Sequence, residues 1–543
     1  MEGTLWAFVP AIIAIVLALV TKQVYVSLFF GIFVGALMYA GGDPLNGMFT
    51  LYQVMSEKVG ANTPIVVFLV VLGILVVLMQ KSGGAKAYGE WAGRKIRSKS
   101  GALAATAGLG CLIFVDDYFN CLTVGSVMRP VTDKFRISRA KLAYIIDATA
   151  APVCIIAPIS SWAAAVAGEL AGDGLMVFIS TIPFNVYALL TIVMVFALCF
   201  LKFDFGKMKK DEDVAFTTGD VYAGIPDDSG EEDEVKGNPK GRVRDLIIPV
   251  VILIVCCIGG MLYTGFFYNW DTGLIDSTLQ SANVIEAFSN CDAGMSLAIG
   301  STVALIIIAI YYMIAKVVSF KEITGSFTEG FKTMVPAILI LTFAWALSGV
   351  MGAKGGYLDA RAFVQNNLAG SNFPQFLFPA IFFVLAGAIA FATGTSWGTF
   401  GVLVPIAVTL LGDSGTLAVM TVSAALGGAV FGDHISPISD TTILASAGAK
   451  CNHVEHVNTQ LPYAGLVAGI AAIAYIAAGA CVSLGGVLSG VIMWVVALGL
   501  LALAIFVIKF INNKKTATVT VELSDPTEET TEATETTENS DAE

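Results

Sequence analysis

The sequence predicts an all-α polytopic membrane protein made of two inverted repeats and an extra C-terminal helix. Each repeat is predicted to hold about five spanning helices, with a re-entrant hairpin and a broken helix. Three observations support this fold class. Hydrophobic residues make up 56% of the 543 residues and charged residues only 13%, with a mean hydropathy of +0.79. Lys and Arg cluster between the apolar segments, as in the loops of membrane proteins. The two halves of the chain share one order of apolar segments and proline breaks.

The first repeat is predicted to cover residues 1–201. Its full spans lie near 5–21, 24–41, 63–80 and 176–201. No signal-peptide pattern with a cleavage site accompanies the first span, so we interpret it as a retained helix. Basic residues around 81–99, 129–141 and 202–244 are predicted to be cytoplasmic, which places the N-terminus outside.

Two other segments of the first repeat are not ordinary spans. Residues 101–128 begin and end beside basic clusters, and they are too few for two crossings of about 20 residues each. They predict a re-entrant hairpin with Asp116 and Asp117 near its tip. Residues 142–172 are interrupted at Pro158, and because proline removes a backbone donor this segment predicts a broken helix.

The second repeat is predicted for residues 245–484. Its full spans lie near 246–265, 294–315, 334–352 and 462–484. A hairpin is predicted at 374–411, with Thr393–Gly398 near its tip. A second broken helix is predicted at 415–449, where Pro437 interrupts the apolar pattern.

A short sequence match pairs the two broken segments. Ala157-Pro-Ile-Ser160 in the first matches Ser436-Pro-Ile-Ser439 in the second. The charge rule gives the two units opposite orientations, which is the inverted repeat of secondary transporters. Ion channels and membrane enzymes need no such repeat. The extra helix is predicted within residues 485–511, and its basic end, Lys509–Lys515, places the C-terminus in the cytoplasm.

The acidic residues are concentrated outside the apolar segments. Eleven lie in 203–235, within the charged cytoplasmic loop predicted for 202–244, and nine lie in the tail 512–543. The tail is rich in Thr and Glu and has no aromatic residue, so we predict that it is disordered. The net charge of −12 therefore indicates no cationic or nucleic-acid partner. Nine scattered cysteines show no metal-ligand spacing, and no cofactor is expected.

The strongest candidate site lies in the second broken helix. Asp433, His434 and Asp440 stand in a strongly apolar stretch, where a charge costs roughly 2.5–3.5 kcal/mol. Such groups are retained mostly where they face a cavity and bind an ion or proton. Pro437 breaks the helix, and Ser436 and Ser439 flank it. Carboxylates, hydroxyls and unwound backbone together predict a site for a hard cation.

Each of these residues also has a structural alternative. Asp440 precedes two threonines after a proline, so it could serve only as a helix N-cap. Asp433 lies where a half-helix ends, and a carboxylate at the negative end of the dipole indicates a nearby cation or proton. His434 is the only histidine within an apolar segment. It could take part in proton coupling or simply be hydrogen-bonded.

The first hairpin contributes acids that the second lacks. Asp116 and Asp117 correspond to apolar residues at the second tip, whereas the acids of the second broken helix correspond to Cys154 and Ser161. Each repeat therefore supplies carboxylates from a different element, and an inverted repeat would bring them together near the midplane. One of the two hairpin acids is expected to face the cavity. Asp147 is a candidate relay.

Hydroxyl side chains and freed backbone groups are expected to support the site. The candidates are Thr393, Thr395 and Ser396 at the second hairpin tip and Ser160, Ser436 and Ser439 beside the proline breaks. Close packing of helices uses the same small residue types, which is the alternative explanation for them.

Two strings carry a family resemblance, Gly394-Thr-Ser-Trp-Gly-Thr-Phe-Gly-Val-Leu-Val-Pro405 and Gly432-Asp-His-Ile-Ser-Pro-Ile-Ser-Asp-Thr-Thr442. With Val115–Tyr118 and Ala150–Trp162, they resemble the NhaC family of Na⁺/H⁺ antiporters in the ion transporter superfamily. The resemblance implies exchange of Na⁺ for H⁺ across the bacterial inner membrane by a transporter that is not an enzyme. It implies that Na⁺ binds at Asp433, Asp440 and Asp117.

A second function stays open, because some members of this family move organic anions or amino acids. The chain would then be a Na⁺-coupled carrier of a small carboxylate, of the malate/lactate type, or of an amino acid. Such a carrier needs a cationic or dipolar anchor, and Arg129 and Arg361 are predicted near the surfaces. Helix N-termini after Pro158 or Pro437 could serve instead. The expected partners are thus Na⁺, H⁺, the lipid bilayer and one such solute, and a homodimer is compatible with the sequence.

Overall fold

The computed structural model describes most of the chain. The residues outside the description are 1, 22, 171–173, 226–236, 270, 271, 273, 276–278, 282, 285, 286, 288–290, 352–356, 361, 364–373, 413, 414 and 525–543. Within helices, the side chains at 18, 19, 24, 119, 122, 126, 293, 336, 337, 348, 440 and 513–524 are also outside it.

The described part of the first half is helical. Its helices are α1 Val9–Thr21, α2 Val24–Tyr39, α3 Pro44–Ala61, α4 Thr63–Ser82, α5 Gly84–Lys95, α6 Lys99–Leu112, α7 Asp117–Lys134, α8 Arg139–Ala148, α9 Ala151–Cys154, α10 Ser161–Glu169, α11 Gly174–Thr181, α12 Val186–Leu201 and α13 Gly206–Thr218.

The second half continues the helical architecture. Its helices are α14 Arg244–Phe267, α15 Ala293–Ala315, α16 Phe320–Met351, α17 Phe378–Thr393, α18 Ser396–Leu411, α19 Thr416–Ile435, α20 Asp440–Ala449, α21 His453–Ala480 and α22 Gly486–Ser524. A two-stranded antiparallel ribbon, β1 Tyr268–Asn269 and β2 Leu274–Ile275, pairs Tyr268 with Ile275.

Length and composition confirm the predicted class of polytopic helical membrane protein. Among the described residues, eight helices are long and apolar enough to cross a bilayer, or eleven candidate spans if each bent pair counts as one. The inverted relation of the two halves stays a prediction.

The first half differs from its predicted spans in two places. The helix α3 was not predicted, because its sequence is more polar than that of its neighbours. Asp43 caps it by accepting from the amides of Leu45 and Asn46, and α3 turns 119° from α2. The predicted span 176–201 is divided between α11 and α12. The division lies at Pro183 and Asn185, whose side chain caps α12.

Three helices of the second half extend beyond the predicted bounds. Helix α16 begins at Phe320 rather than 334, because Ser319 and Glu322 form a reciprocal capping box. Helix α21 begins at His453 rather than 462, because Asn452 caps it and the helix continues through Pro462. Helix α22 runs to Ser524, so residues 512–524 of the predicted disordered tail are helical; the first proline after 512 is at 526. The rest of that tail lies outside the described residues.

The loop predicted for 202–244 is partly ordered. Helix α13 packs against the membrane core, and Glu212 is buried between Lys99 and Lys141. Asp204 also pairs with Lys141, with 2.8 Å between carboxylate oxygen and ammonium nitrogen. A network of charges therefore holds this helix at the predicted cytoplasmic face.

Helices end and begin at the positions where the sequence predicts the two hairpin tips and the two helix breaks. Helices α6 and α7 flank the first tip, and α17 and α18 flank the second. The first broken segment consists of α8, α9 and α10, and the second of α19 and α20. The first hairpin and the second broken segment are in close backbone contact. A Cβ on Gly125 of α7 would lie 2.4 Å from the carbonyl carbon of Gly448 in α20.

Candidate functional site

Asp433 is at the centre of the second helix break. It lies in the last turn of α19, four residues before the predicted breaker Pro437, and only 1% of its surface is exposed. Its Oδ2 accepts hydrogen bonds from the hydroxyls of Ser396, at 3.2 Å, and Thr441, at 3.1 Å. The carboxylate is thus shared by three elements: the end of α19, the start of α18 and the start of α20.

The second hairpin tip sits against this break. Gly394 adopts a left-handed φ of +70°, and a Cβ there would lie 2.3 Å from the carbonyl oxygen of Ile438. Only glycine allows both the conformation and the approach. The hydroxyl of Ser436 fixes the contact by donating to the carbonyl of Phe391 at 2.7 Å. The second hairpin tip and the second break are therefore in direct contact.

The other predicted hydroxyls mainly satisfy nearby backbone groups. Thr395 caps α18, and Thr393 donates to the carbonyl of Ile389 within its own helix. Ser439 caps α20 by accepting from the amide of Thr442 at 3.2 Å. The alternative that Asp440 is the N-cap is therefore wrong: Ser439 holds that position and Asp440 is the first helical residue. The side chain of Asp440 lies outside the described part of the structure.

Asp147 adjoins the site from the first half of the chain. It is fully buried in α8, and its Oδ2 accepts from the Thr442 hydroxyl at 3.1 Å and the Gln460 amide at 2.7 Å. The Thr442 hydroxyl also lies 3.4 Å from the carbonyl oxygen of Asp433. A single threonine therefore links the candidate relay to the residue that carries the central carboxylate.

The first hairpin presents its acids to the first broken helix. Asp117 is buried, and its Oδ2 accepts from the indole N–H of Trp162 at 2.9 Å. Trp162 is the second residue of α10, which Ser160 caps, and the Ser160 hydroxyl also donates to the carbonyl of Cys154 at 2.8 Å. The ring of Trp162 packs on Trp397 of the second hairpin, with centroids 5.5 Å apart.

Acids from both halves of the chain lie around one position. Cys121, in α7, is buried and lies within electrostatic reach of four carboxylates. These are Asp116, Asp117, Asp147 and Asp433. Asp116 is buried as well. The structure therefore brings together acids that lie far apart in the sequence.

His434 is buried behind Asp433 in contact with two polar groups. Its Nδ1 lies 2.9 Å from the hydroxyl of Tyr187, and its carbonyl accepts from the Gln460 amide at 2.7 Å. Sequence reasoning missed Gln460 and Tyr187. Gln460 was overlooked because α21 was expected to start after it, although its spacing from His453 and His456 places all three on one helix face.

The chemistry of the site is that of oxygen donors. Within the described residues, no group of three His, Cys, Asp or Glu side chains is arranged to hold a metal ion. The oxygen atoms that could bind an ion here are those of the hydroxyls around Asp433, of its own carboxylate and of the carbonyls freed at the break. Oxygen ligands of this kind suit a hard cation or a proton rather than a transition metal.

Comparison with known proteins gives a family match, a relative that aligns over most of the chain and a relative that aligns over about a quarter of it. The model of the Na⁺/H⁺ antiporter family matches residues 172–480. A Haemophilus influenzae protein, named only as uncharacterised, is 39% identical over 499 residues, which is 88% of this chain and 91% of that protein. The Malate-2H(+)/Na(+)-lactate antiporter of Bacillus subtilis is 33% identical over 148 residues, 26% of this chain and 30% of that protein. The YdaH transporter of Alcanivorax borkumensis has a TM-score of 0.47 at 15% identity, over 81% of this chain and 90% of that chain.

Proposed function

Since this chain belongs to the Na⁺/H⁺ antiporter family, we propose that it is a secondary active transporter that exchanges Na⁺ for H⁺ across the bacterial inner membrane. The family match at 172–480 includes the second hairpin and the second broken helix. The proposed orientation keeps the N-terminus outside and the C-terminus in the cytoplasm, as the basic residues predict.

The observation that carries the proposal is the environment of Asp433. Its carboxylate is almost fully buried, and its Oδ2 accepts hydrogen bonds from two neutral hydroxyls, those of Ser396 and Thr441. A charge held at this depth is costly unless a cation or a proton compensates for it. Asp433 is therefore suited to alternate between a protonated form and a Na⁺-bound form.

Competition at one carboxylate couples the two flows. Because Asp433 binds either H⁺ or Na⁺, an inward proton displaces Na⁺ and an outward Na⁺ displaces the proton. Asp433, Asp440 and Asp117 are the proposed carboxylate ligands, and the hydroxyls of Ser396 and Thr441 would turn their oxygens toward the ion. The carboxyl end of α19 adds the negative end of a helix dipole, which favours a cation there.

Movement at the two helix breaks would expose the site to each side in turn. The tips of the hairpins contact the breaks, so a shift of one unit against the other changes access to Asp433 while the ligands stay on short segments. The inverted repeat, which we retain as part of this proposal, would relate the inward-open and outward-open arrangements.

Flux in proteoliposomes tests the proposal. When a Na⁺ gradient is directed into the vesicles, the purified protein should alkalinise the lumen, because H⁺ leaves as Na⁺ enters. An outward proton gradient should likewise drive uptake of radioactive Na⁺. Asp433→Asn should abolish both signals. Wild-type protein that moves Na⁺ with no accompanying proton movement would contradict the exchange mechanism.

Exchange of an organic anion is the second candidate, favoured by the named Bacillus subtilis relative. The anchor expected for a carboxylate is weak here, because Ser160 and Ser439 already cap the helix N-termini after Pro158 and Pro437. Arg361 lies outside the described residues. Repeating the flux with malate, lactate or an amino acid separates the two: a Na⁺ flux that requires the solute would favour this candidate.

A further inference from the structure

The sequence holds three histidines, and two of them, His453 and His456, lie on α21 outside the central motif. We propose that these two, joined by Ser446, form a proton path between Asp147 and the predicted cytoplasmic surface. The inference rests on the proposed exchange of Na⁺ for H⁺, and it assigns the route by which protons leave or enter the buried site.

The inner end of the path is an acid–imidazole contact. His456 is fully buried, and its Nε2 lies 3.9 Å from Oδ2 of Asp147. The same nitrogen lies 3.0 Å from Oε1 of Gln460. A movement of about 1 Å would bring the imidazole and the carboxylate within direct hydrogen-bond reach.

The outer end reaches the surface through one hydroxyl. Ser446 Oγ, on α20, lies 2.8 Å from Nδ1 of His456 and 3.1 Å from Nδ1 of His453. His453 is only partly buried, and its Nε2 contacts the carbonyl oxygen of Pro437 at 2.8 Å. The chain of contacts is therefore continuous from a fully buried carboxylate to the protein surface.

The hydrogen-bond partners indicate that the two imidazoles share an extra proton. Gln460 donates its amide to two acceptors, so its Oε1 faces His456, whose Nε2 must carry a hydrogen. The carbonyl of Pro437 likewise requires a hydrogen on Nε2 of His453. The hydroxyl of Ser446 has one hydrogen, which can also be donated to the carbonyl of Thr442 at 2.7 Å, so at least one of its two imidazole contacts needs a hydrogen from the ring. Two neutral imidazoles cannot satisfy all four contacts.

Proton release along this path balances at every atom. Release starts from the state in which the extra proton is on Asp147 and His456 carries a hydrogen on Nδ1 alone. Asp147 then gives its proton to the free Nε2 of His456, which restores the bond to Gln460, while the Nδ1 proton of that ring passes to Ser446. The Ser446 hydroxyl proton passes at the same time to Nδ1 of His453. His453 then loses its Nε2 proton to water, and the net result is one proton moved from Asp147 to the surface.

Charged groups from several helices face this path. Asp147 of α8 lies beside the inner imidazole, and Asp433 of α19 lies beyond Thr442. On the outer side, Glu455 of α21 pairs with Lys207 of α13. The carboxylates favour an imidazolium in the path, and the positive charge of Lys207, which would oppose it, is paired with Glu455.

The test separates proton movement from Na⁺ binding. In proteoliposomes, Ser446→Ala should lower Na⁺/H⁺ exchange by about tenfold or more, because the hydroxyl link is lost. Exchange of Na⁺ for Na⁺, which needs no proton, should stay within about twofold of wild type. Thr459→Ala is the matched control, since that buried hydroxyl on α21 bonds only carbonyls of its own helix.

A rescue experiment addresses the outer residue. His453→Ala should lose Na⁺/H⁺ exchange, and added imidazole should restore it by replacing the missing ring at the surface. Equal loss of both exchange modes in Ser446→Ala, or no loss in either variant, would overturn the path. Failure of the wild type in both modes would instead overturn the proposed function.

Discussion

The hydroxyl of Thr441 donates to Oδ2 of Asp433 over 3.1 Å, across the break between α19 and α20. The bond joins the first turn of one half-helix to the last turn of the other. Any motion that separates the half-helices must break it, and a cation bound at Asp433 would replace it with contacts to the carboxylate and to the Thr441 oxygen. The charge state of Asp433 and the geometry of the break are therefore coupled through one side chain.

Removal of the Thr441 hydroxyl should weaken Na⁺ binding. Thr441→Val removes an oxygen that is proposed to turn toward the ion. At the strength of a hydrogen bond to a charged group, about 1.5–3 kcal/mol, loss of this ligand should raise the Na⁺ concentration for half-maximal exchange by roughly 10-fold or more. Thr441→Ser retains the hydroxyl and is the matched control. Exchange kinetics against Na⁺ concentration measure the effect, and equal affinities in wild type and Thr441→Val would contradict the assigned ligand role.

Neutralising Asp433 should stop exchange without unfolding the protein. Asparagine keeps the shape of the side chain but cannot hold a proton or a Na⁺ charge, so Asp433→Asn should show neither Na⁺-driven proton movement nor Na⁺ uptake. Asp245→Asn is the control, because this buried carboxylate bonds Tyr311 and a backbone amide away from the site. Exchange by Asp433→Asn at the wild-type rate would exclude Asp433 as the coupling residue.

The sequence predicted the helices and breaks that form the site better than it predicted which of them contact one another. The breaks at Pro158 and Pro437 follow from local chemistry, since a proline has no backbone N–H to donate and serine residues lie within three positions of each. The approach of α20 to α7 depends on Gly125 and Gly448, which only the tertiary structure pairs.

The start of α21 illustrates why the rest was missed. Pro462 suggested a first helical turn, but Asn452 caps the helix earlier and the helix tolerates the proline within it. The polar residues between them therefore looked like a loop. In the folded protein they include His456 and Gln460, which point into the core and complete the polar network around Asp147.

Close packing at Gly448 should be essential for stability. A Cβ there would lie 2.6 Å from the carbonyl oxygen of Cys121, and backbone atoms cannot move aside cheaply. Gly448→Ala should destabilise the protein by about 1–3 kcal/mol and lower its unfolding temperature in detergent. Gly465→Ala is the control, because no atom lies within 4 Å of a Cβ at that helical position. A stability for Gly448→Ala equal to that of the control would contradict the close crossing.

The carboxyl of Asp211 should make stability depend on pH. Asp211 lies on α13, outside the apolar span α12, and is only 6% exposed. Burial, together with the neighbouring carboxylate of Glu455, raises the pKa of Asp211 to about 7. Between about pH 4 and 7 the folded protein therefore keeps a proton on Asp211 that the unfolded protein, with a pKa near 4, has released. Its contribution to stability is complete at low pH and is lost as pH rises through 7.

Substitution of Asp211 by asparagine tests the sign of this effect. The amide resembles the protonated acid, so Asp211→Asn should unfold at a higher temperature than wild type at pH 8. The difference should be much smaller at pH 5 and should vanish below about pH 4, where the unfolded wild type is protonated too. Asp213→Asn is the control, since Asp213 lies exposed on the same helix and pairs with Lys209. That variant should keep the pH dependence of wild type. If Asp211→Asn were less stable than wild type at pH 8, the carboxylate would be stabilising in its charged form, and burial beside Glu455 could not be the dominant influence on its pKa.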